Sequence, residues 1–260
     1  MCSSSHTLFL ALGLKGLVGT SRHPHDTLTT PSRHSHDTLT TPSRHPHDTL
    51  TTLATLTMDA LVREHMWKNG HDLLELEWRV GHALGQFRAG VDGDAWQRLK
   101  KKLDSSPAFV ASFVETHETL GNRGVRRVCD PQGQVTAWIR KQKLGCVDEA
   151  QEGGPWTIRS SVSIDVPCAP PPPTDPFVPQ YERHKRRWSF RHACWSVDLT
   201  IARGNTPTCL DSDADVYEVE VELVDRDMLL ERPLPHIVEW GRKVASDVCG
   251  LMVAKSSLAV

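Results

Sequence analysis

The chain has no excess of one charge, no cysteines at paired spacing and no long apolar run, and each absence removes a class of function. Over 260 residues the formal net charge is −2 and the sequence pI about 6.7. A generally basic surface for nucleic acid is therefore excluded, and any polyanion must be met by a local cluster. The seven cysteines are odd in number and scattered, with no CxxC pair. That argues against a zinc cluster or a disulfide framework and favours reduced thiols in an intracellular protein. None of them opens a CxxxxxR phosphate-binding loop, so a cysteine-based phosphatase is excluded too. The apolar stretch Leu8 to Gly19 is twelve residues long and interrupted by Lys15. It lacks a basic leader and is too short to span a bilayer, so no membrane association is expected.

What the N-terminus does contain is a repeat. "SRHPHDTLTTP" begins at Ser21 and recurs, slightly varied, at Ser32 and Ser43. Half of the fourteen histidines precede residue 58, six of them in HxH pairs. The repeat has little apolar material to bury, so residues 1–57 read as a disordered tail. Weak binding of zinc, copper or nickel is the alternative for the HxH pairs. Residues 58–260 are expected to form the folded domain.

From Met58 the pattern changes. "MDALVREHMWKN" predicts a helix, and "GDAWQRLKKKLD" over 93–104 a second, amphipathic one with Asp94 as its cap. Strands are expected near 73–80, 110–119, 124–130 and 134–143, the last two joined by the turn "DPQG". "PWTIRSSVSIDVP", "YERHKRRWSF", "CWSVDLTIARG" and "YEVEVEL" supply four more, and a helix over about 225–246 closes the chain. Eight strands are enough to close a barrel.

The faces of these strands are unusual. In "YEVEVEL", Glu218, Glu220 and Glu222 share one face, because alternate side chains of a strand do. Glu75 and Glu77 share a face opposite Leu74, Leu76 and Trp78. Arg183, Lys185, Arg187 and Ser189 fall in phase, as do Arg159, Ser161, Ser163 and Asp165, and Ser196, Asp198 and Thr200. Lys141 and Lys143 share a face, and Arg126 points away from Val125 and Arg127. Charges of both signs occupy one side and apolar residues the other, which is an inside-out barrel. Small barrels normally fill their interiors with apolar side chains. A lumen of glutamates would resist folding unless basic residues on facing strands and a divalent cation relieved it. Such an interior suits a polyphosphate.

In this order, "ELEWRVG", "KRRWSF", "WSVDLT" and "YEVEVEL" resemble the metal-dependent RNA triphosphatases of fungi, protists and large DNA viruses, members of the triphosphate tunnel metalloenzymes. The resemblance covers roughly residues 58–225. It implies a mainly β fold, an eight-stranded antiparallel closed tunnel with a polar interior and flanking helices. It also implies removal of the γ-phosphate from 5'-triphosphate RNA, the first step of mRNA capping, with Mg2+ or Mn2+ as cofactor. By motif position, Glu75, Glu77 and Glu222 match metal ligands, with Glu218 and Glu220 completing the acidic triplet. Lys185 and Arg187 match the basic pair that grips the phosphates, Arg126 a further tunnel arginine, and Asp165 and Asp198 acidic tunnel positions. A carboxylate off the ion, Glu220 or Asp165, would position the attacking water.

Two competing readings stay open. One is a tunnel enzyme acting on tripolyphosphate or a small triphosphate, although those relatives carry ExExK where this chain has Arg79 after "ELEW". The other is a non-catalytic module binding phosphate or RNA ends, for which the glutamates would be a hindrance. No guanylyltransferase KxDG motif occurs, so the next capping step would fall to a guanylyltransferase on a separate chain. A nuclear location follows from the resemblance alone.

Overall fold

The computed structural model describes residues 57–151, 154–204 and 214–253. The apolar N-terminal stretch and the histidine-rich repeats fall outside them. Helix α1 (Met58–Asn69) precedes β1 (Leu74–Leu84), a short β2 (Gln86–Ala89) and α2 (Gly93–Asp104). Strands β3 (Val110–Gly121), β4 (Val125–Cys129), β5 (Val135–Ala150) and β6 (Thr157–Pro167) follow. Next come β7 (Pro179–His192), β8 (Trp195–Arg203) and β9 (Val216–Leu223), then α3 (Met228–Glu231) and α4 (Leu234–Met252).

Eight of the strands pair antiparallel in the order β1-β6-β5-β4-β3-β7-β8-β9, and β1 pairs with β9 to close the ring. The expected closed tunnel is therefore present. Strand β2 is an addition, folded back on β1 from Gly81↔Ala89 to Leu84↔Gln86. Its four residues carry too little alternation to be legible beforehand.

The apolar faces point outward. Leu74, Leu76, Trp78 and Val80 of β1 are buried, as are Ile158, Val162 and Ile164 of β6 and Val219, Val221 and Leu223 of β9. They pack beneath α1, α2 and α4, whose Val62, Trp96, Leu99, Ile237, Val244 and Val248 join the same cluster. Burying an aromatic side chain such as Trp78 removes about 150–250 Å² from water, roughly 4–6 kcal/mol at 25 cal/mol/Å². Trp78 packs edge-on against Trp195, and Trp195 against Trp240, each at 5.5 Å between centroids. The core thus lies between barrel and helices, leaving the lumen to polar groups.

Three local expectations are corrected. The cap of α2 is Asp92, not Asp94: Asp92 is extended and its Oδ1 accepts from Ala95 N at 2.7 Å. Strand β5 runs to Ala150 rather than 143, bulging between Lys143 and Gly145, where Leu61 of α1 packs against the glycine. The closing helix is two helices. Pro233 has no N–H to donate and pushes Arg232 into an extended conformation, so α3 stops at Glu231 and α4 begins anew. The turn expected at "DPQG" is present, with Gly133 N donating to Asp130 O at 3.0 Å. Among the described residues no helix is long and apolar enough to cross a membrane.

Gly241 of α4 lies against the Trp78 ring, and a Cβ there would meet it at 2.4 Å. Gly250, in the same helix, has nothing within 4 Å of such an atom. Gly241→Ala is expected to lower the thermal midpoint through overpacking, at about 1–3 kcal/mol. Gly250→Ala should raise it slightly, since alanine in a helix gains about 0.5–1 kcal/mol over glycine. A raised midpoint for Gly241→Ala would show that the helix is not seated on Trp78 as described.

Candidate active site

Strand alternation brings every charged residue singled out in the sequence to the barrel interior. A cavity of about 570 Å³ is lined by Glu75, Glu77, Arg126, Asp165, Lys185, Arg187, Glu218 and Glu220 among others. Asp198 joins them through Arg187, and Glu222 is the direct cross-strand partner of Glu77 where β1 meets β9.

The charges are paired into one network. Glu220 is ion-paired on both oxygens, with Arg79 Nε at 2.8 Å and Arg187 at 3.1 Å. Arg187 forks further to Thr200 Oγ1 at 3.1 Å and Asp198 Oδ2 at 3.2 Å, while Ser196 donates to the other Asp198 oxygen. Two residues along β7, Lys185 donates to Glu118 of the neighbouring β3 at 2.8 Å, with Arg126 at 3.8 Å from the same carboxylate. Lys141 bonds Glu75 at 2.7 Å and lies 3.9 Å from Asp165. Ser163 and Ser161 donate to Glu75 and Glu77, each at 2.9 Å, and Arg183 donates to Glu218 at 2.8 Å.

The carboxylates differ in how well this network serves them. Burial pushes Glu220 upward, but the Arg79 and Arg187 guanidiniums outweigh it and hold the carboxyl well below the usual range. Burial likewise opposes ionisation of Glu75, yet Lys141 and Ser163 leave it lowered. Glu77 is raised, by burial first, with Glu220 nearby and Arg79 only partly offsetting. Glu222 is pushed up to about 7 by burial and by the neighbouring Glu75 and Asp198. Its nearest cation is Arg226, at 3.8 Å. Asp165 is raised by burial despite Lys141, and its Oδ1 has no hydrogen-bond partner. Carboxylates short of positive charge therefore cluster around the β1–β9 seam and β6.

With this geometry in hand, known proteins can be compared. Residues 111–236 match the family described as mRNA capping enzyme, beta chain. A 5'RNA triphosphatase of Paramecium bursaria Chlorella virus 1 is 31% identical over 182 residues, spanning 68% of this chain and 90% of that protein. The chain belongs to this capping-enzyme family. The solved S. pombe Pct1 RNA triphosphatase shares the fold at a TM-score of 0.53 and 17% identity, over 66% of this chain and 80% of that one. Pct1 in complex with the Spt5 CTD gives 0.56 at 16% identity, over 68% and 85%.

In this capping-enzyme chain four lumen residues go beyond those the sequence assigns to the site. Arg79, which marks a departure from ExExK, falls in phase with Glu75 and Glu77 and bridges Glu77 to Glu220. Glu118 sits in "ETHETL", where both faces are polar and no alternation marks the inner one. For Lys141 and Arg183 alternation gives the face, and strand register supplies the partners, Glu75 and Glu218. Arg127 points outward, as expected, bonding Thr119 at 3.2 Å and covering the Phe177 ring. The cysteines stay out of the chemistry: Cys129, Cys146, Cys168, Cys194 and Cys249 are unpaired. Burial pushes Cys194 up to about 11 and Cys249 up to about 12.

Breaking a buried ion pair from one side typically costs about 3–5 kcal/mol, because the survivor is left uncompensated. Lys185→Met and Glu118→Gln should each lower stability by an amount of this order in urea denaturation. The double variant should lose less than the two losses added, with a coupling of about 0.5–3 kcal/mol. Strict additivity would mean that the pair does not interact.

Proposed function

We infer that the protein hydrolyses the bond between the β- and γ-phosphates at the 5'-triphosphate end of RNA, leaving a 5'-diphosphate end for capping. The observation that carries this is the opposition of Glu77 and Glu222 at one seam of a lumen into which β7 presents Lys185 and Arg187. Like charges directly opposite one another destabilise a strand pair. That cost is reasonable where a cation is to be held. Family membership and the viral relative support the same reaction.

The donor set suits a hard divalent ion. Six of the seven basic groups lining the central cavity are already ion-paired to its carboxylates, so the lumen offers a triphosphate little uncommitted positive charge and an added cation is needed. All the candidate ligands are oxygens, the preference of magnesium and manganese. Among the described residues no three acidic or histidine groups are already gathered to hold an ion. Glu75 and Glu77 are bonded instead to Lys141, Arg79 and serine hydroxyls. Glu75, Glu77 and Glu222 would hold Mg2+ or Mn2+, which supplies Lewis-acid polarisation of the γ-phosphate.

The remaining roles fall to residues of the chain. Lys185 and Arg187 exchange their carboxylate partners for phosphate oxygens and neutralise charge as the bond breaks. Arg126 and Arg183 flank them; Asp198, Thr200 and Glu220 fix the plane of the Arg187 guanidinium in the free lumen, and Thr200 keeps it there once the carboxylates are displaced. Water attacks the γ-phosphorus, the bridging oxygen leaves with the β-phosphate, and a carboxylate takes the water proton. Asp165 suits that last task better than Glu220, since one of its oxygens has no hydrogen-bond partner and both of Glu220's are engaged. A nuclear site of action and a separate guanylyltransferase belong to the same reading.

The deciding measurement is phosphate release from γ-labelled triphosphate-ended RNA, beside tripolyphosphate and ATP, with and without added magnesium. Activity should require the metal, and Glu75→Ala, Glu77→Ala or Glu222→Ala should each remove most turnover without unfolding the protein. A protein beginning at Met58 should stay active, since the sequence of residues 1–57 carries no tunnel motif. Full activity of Glu75→Ala would sink the metal assignment, and preference for tripolyphosphate would shift the substrate.

Charge and geometry separate at position 187. Arg187→Lys keeps the charge but cannot span Thr200, Asp198 and Glu220 at once, and about a 10²-fold loss in rate is expected. Arg186 faces outward on the same strand, opposite Glu115 and Ile201. Arg186→Ala should leave the rate within about two-fold of wild type. The reverse ranking of the two would mean that β7 is out of register by one residue.

A further inference from the structure

The two ends of the tunnel differ in what they offer an extended polyanion. Toward one end the lumen positions in phase with the site are Val114, Ser189 and Ser196, followed by the exposed Arg191, and none of them brings an aromatic ring. Toward the other, the central cavity shares Glu77, Arg79 and Arg88 with an adjoining cavity of about 380 Å³ that is also lined by Phe87, Lys143 and Arg159. This rim is built by the β1–β2 hairpin on one side and by β5 and β6 on the other. The hairpin can lie this close only because position 81 is glycine: a Cβ there would meet the Arg88 carbonyl at 2.2 Å and the Phe87 ring at 2.8 Å.

The cations at this rim are of two kinds. Arg159 is committed, bonding Asp148 through two nitrogens at 2.6 and 2.7 Å and stacking over Phe87 at 4.3 Å. Arg88 and Lys143, both solvent-exposed, have no carboxylate within ion-pair distance among the described residues. Deep in the lumen, by contrast, Arg79, Lys141, Lys185 and Arg187 all have acidic partners. Uncommitted positive charge is thus found at the mouth, beside a ring held flat by a guanidinium.

We propose that this mouth receives the RNA chain behind the triphosphate, Arg88 and Lys143 contacting its first phosphodiesters and the Phe87–Arg159 stack carrying a base. The assignment rests on the RNA triphosphatase reading above and extends it to the part of the substrate that is not cleaved. Pairing a backbone-tracking cation with an aromatic platform is how single strands are bound without sequence preference. A phosphate contact to a single strand contributes about −0.7 to the slope of log affinity against log salt. Inorganic tripolyphosphate has no chain to place there.

The test measures kcat/KM for a triphosphate-ended RNA oligonucleotide and for tripolyphosphate in wild type, Arg88→Ala, Lys143→Ala, the double variant and Phe87→Ala. The double variant should lose at least about ten-fold more on RNA than on tripolyphosphate, mainly through KM. Its salt slope on RNA should be shallower by about 1.4. Arg140→Ala, an exposed outward position on β5, should change neither substrate. Equal losses on both substrates would overturn the proposal, as would no loss on RNA. A wild-type protein that releases no phosphate from RNA at all would instead remove the underlying reading. Thermal midpoints within a few degrees of wild type would exclude a fold defect as the source of any difference.

Discussion

The carboxylate of Glu220 is held between the guanidiniums of Arg79 and Arg187, and the rest of the lumen is arranged around that sandwich. Arg79 continues to Glu77, while Arg187 continues to Asp198 and Thr200, so one buried anion ties β1, β7, β8 and β9 together. Without such pairing, burial would neutralise the glutamates and the lumen would lose its charge. The pairing is incomplete by design of the strand register: Glu77 and Glu222 oppose one another, and Glu222 is left titrating at about 7. A site that has satisfied most of its charges and left one seam wanting positive charge is what the proposed cation would complete.

Charged interiors are expensive, because buried ion pairs often fail to repay their desolvation. Stability therefore has to come from elsewhere in the molecule. Here it comes from the outside of the barrel, where the Trp78–Trp195–Trp240 row and the faces of α2 and α4 bury the apolar sides of β1, β6, β8 and β9. The same two-residue period that sends Glu75 and Glu77 inward sends Leu74, Leu76 and Trp78 outward. Helix packing and lumen chemistry are thus two consequences of one pattern, and a slip of one residue would ruin both.

That dependence on period explains what was legible beforehand. Glu218, Glu220 and Glu222 declare their common face because alternation is local, and so do Lys185 and Arg187. Closure of the sheet followed from strand number, and the polar side could be recognised as the inside because helices were available for the other. What could not be read was pairing across strands. Lys185 meets Glu118 and Lys141 meets Glu75 only through registers set by β3–β7 and by β1–β6–β5. Strand β2 was invisible for a different reason. Four residues with no clear alternation acquire their conformation from β1, through Gly81 and the backbone bond from Gly90 to Val80. The misplaced cap of α2 has the same origin: Asp92 and Asp94 are both plausible from composition, and only the extended backbone at Asp92 separates them.

The pairing also bears on selectivity. Each cation deep in the lumen that could grip phosphate already holds a carboxylate, so binding is an exchange of partners rather than the filling of vacant positive sites. A ligand gains from that exchange only if it brings enough negative charge to several cations at once, and only if the displaced carboxylates find positive charge elsewhere. A monophosphate could engage Lys185 or Arg187 but not both ends of the network. A triphosphate chain spans the distance between them, about 6.6–7 Å along the strand. A divalent cation at the β1–β9 seam would compensate the carboxylates left behind. On the proposed function, a requirement for a chain of phosphates and a requirement for a metal would share one cause, the closed charge pairing of the lumen.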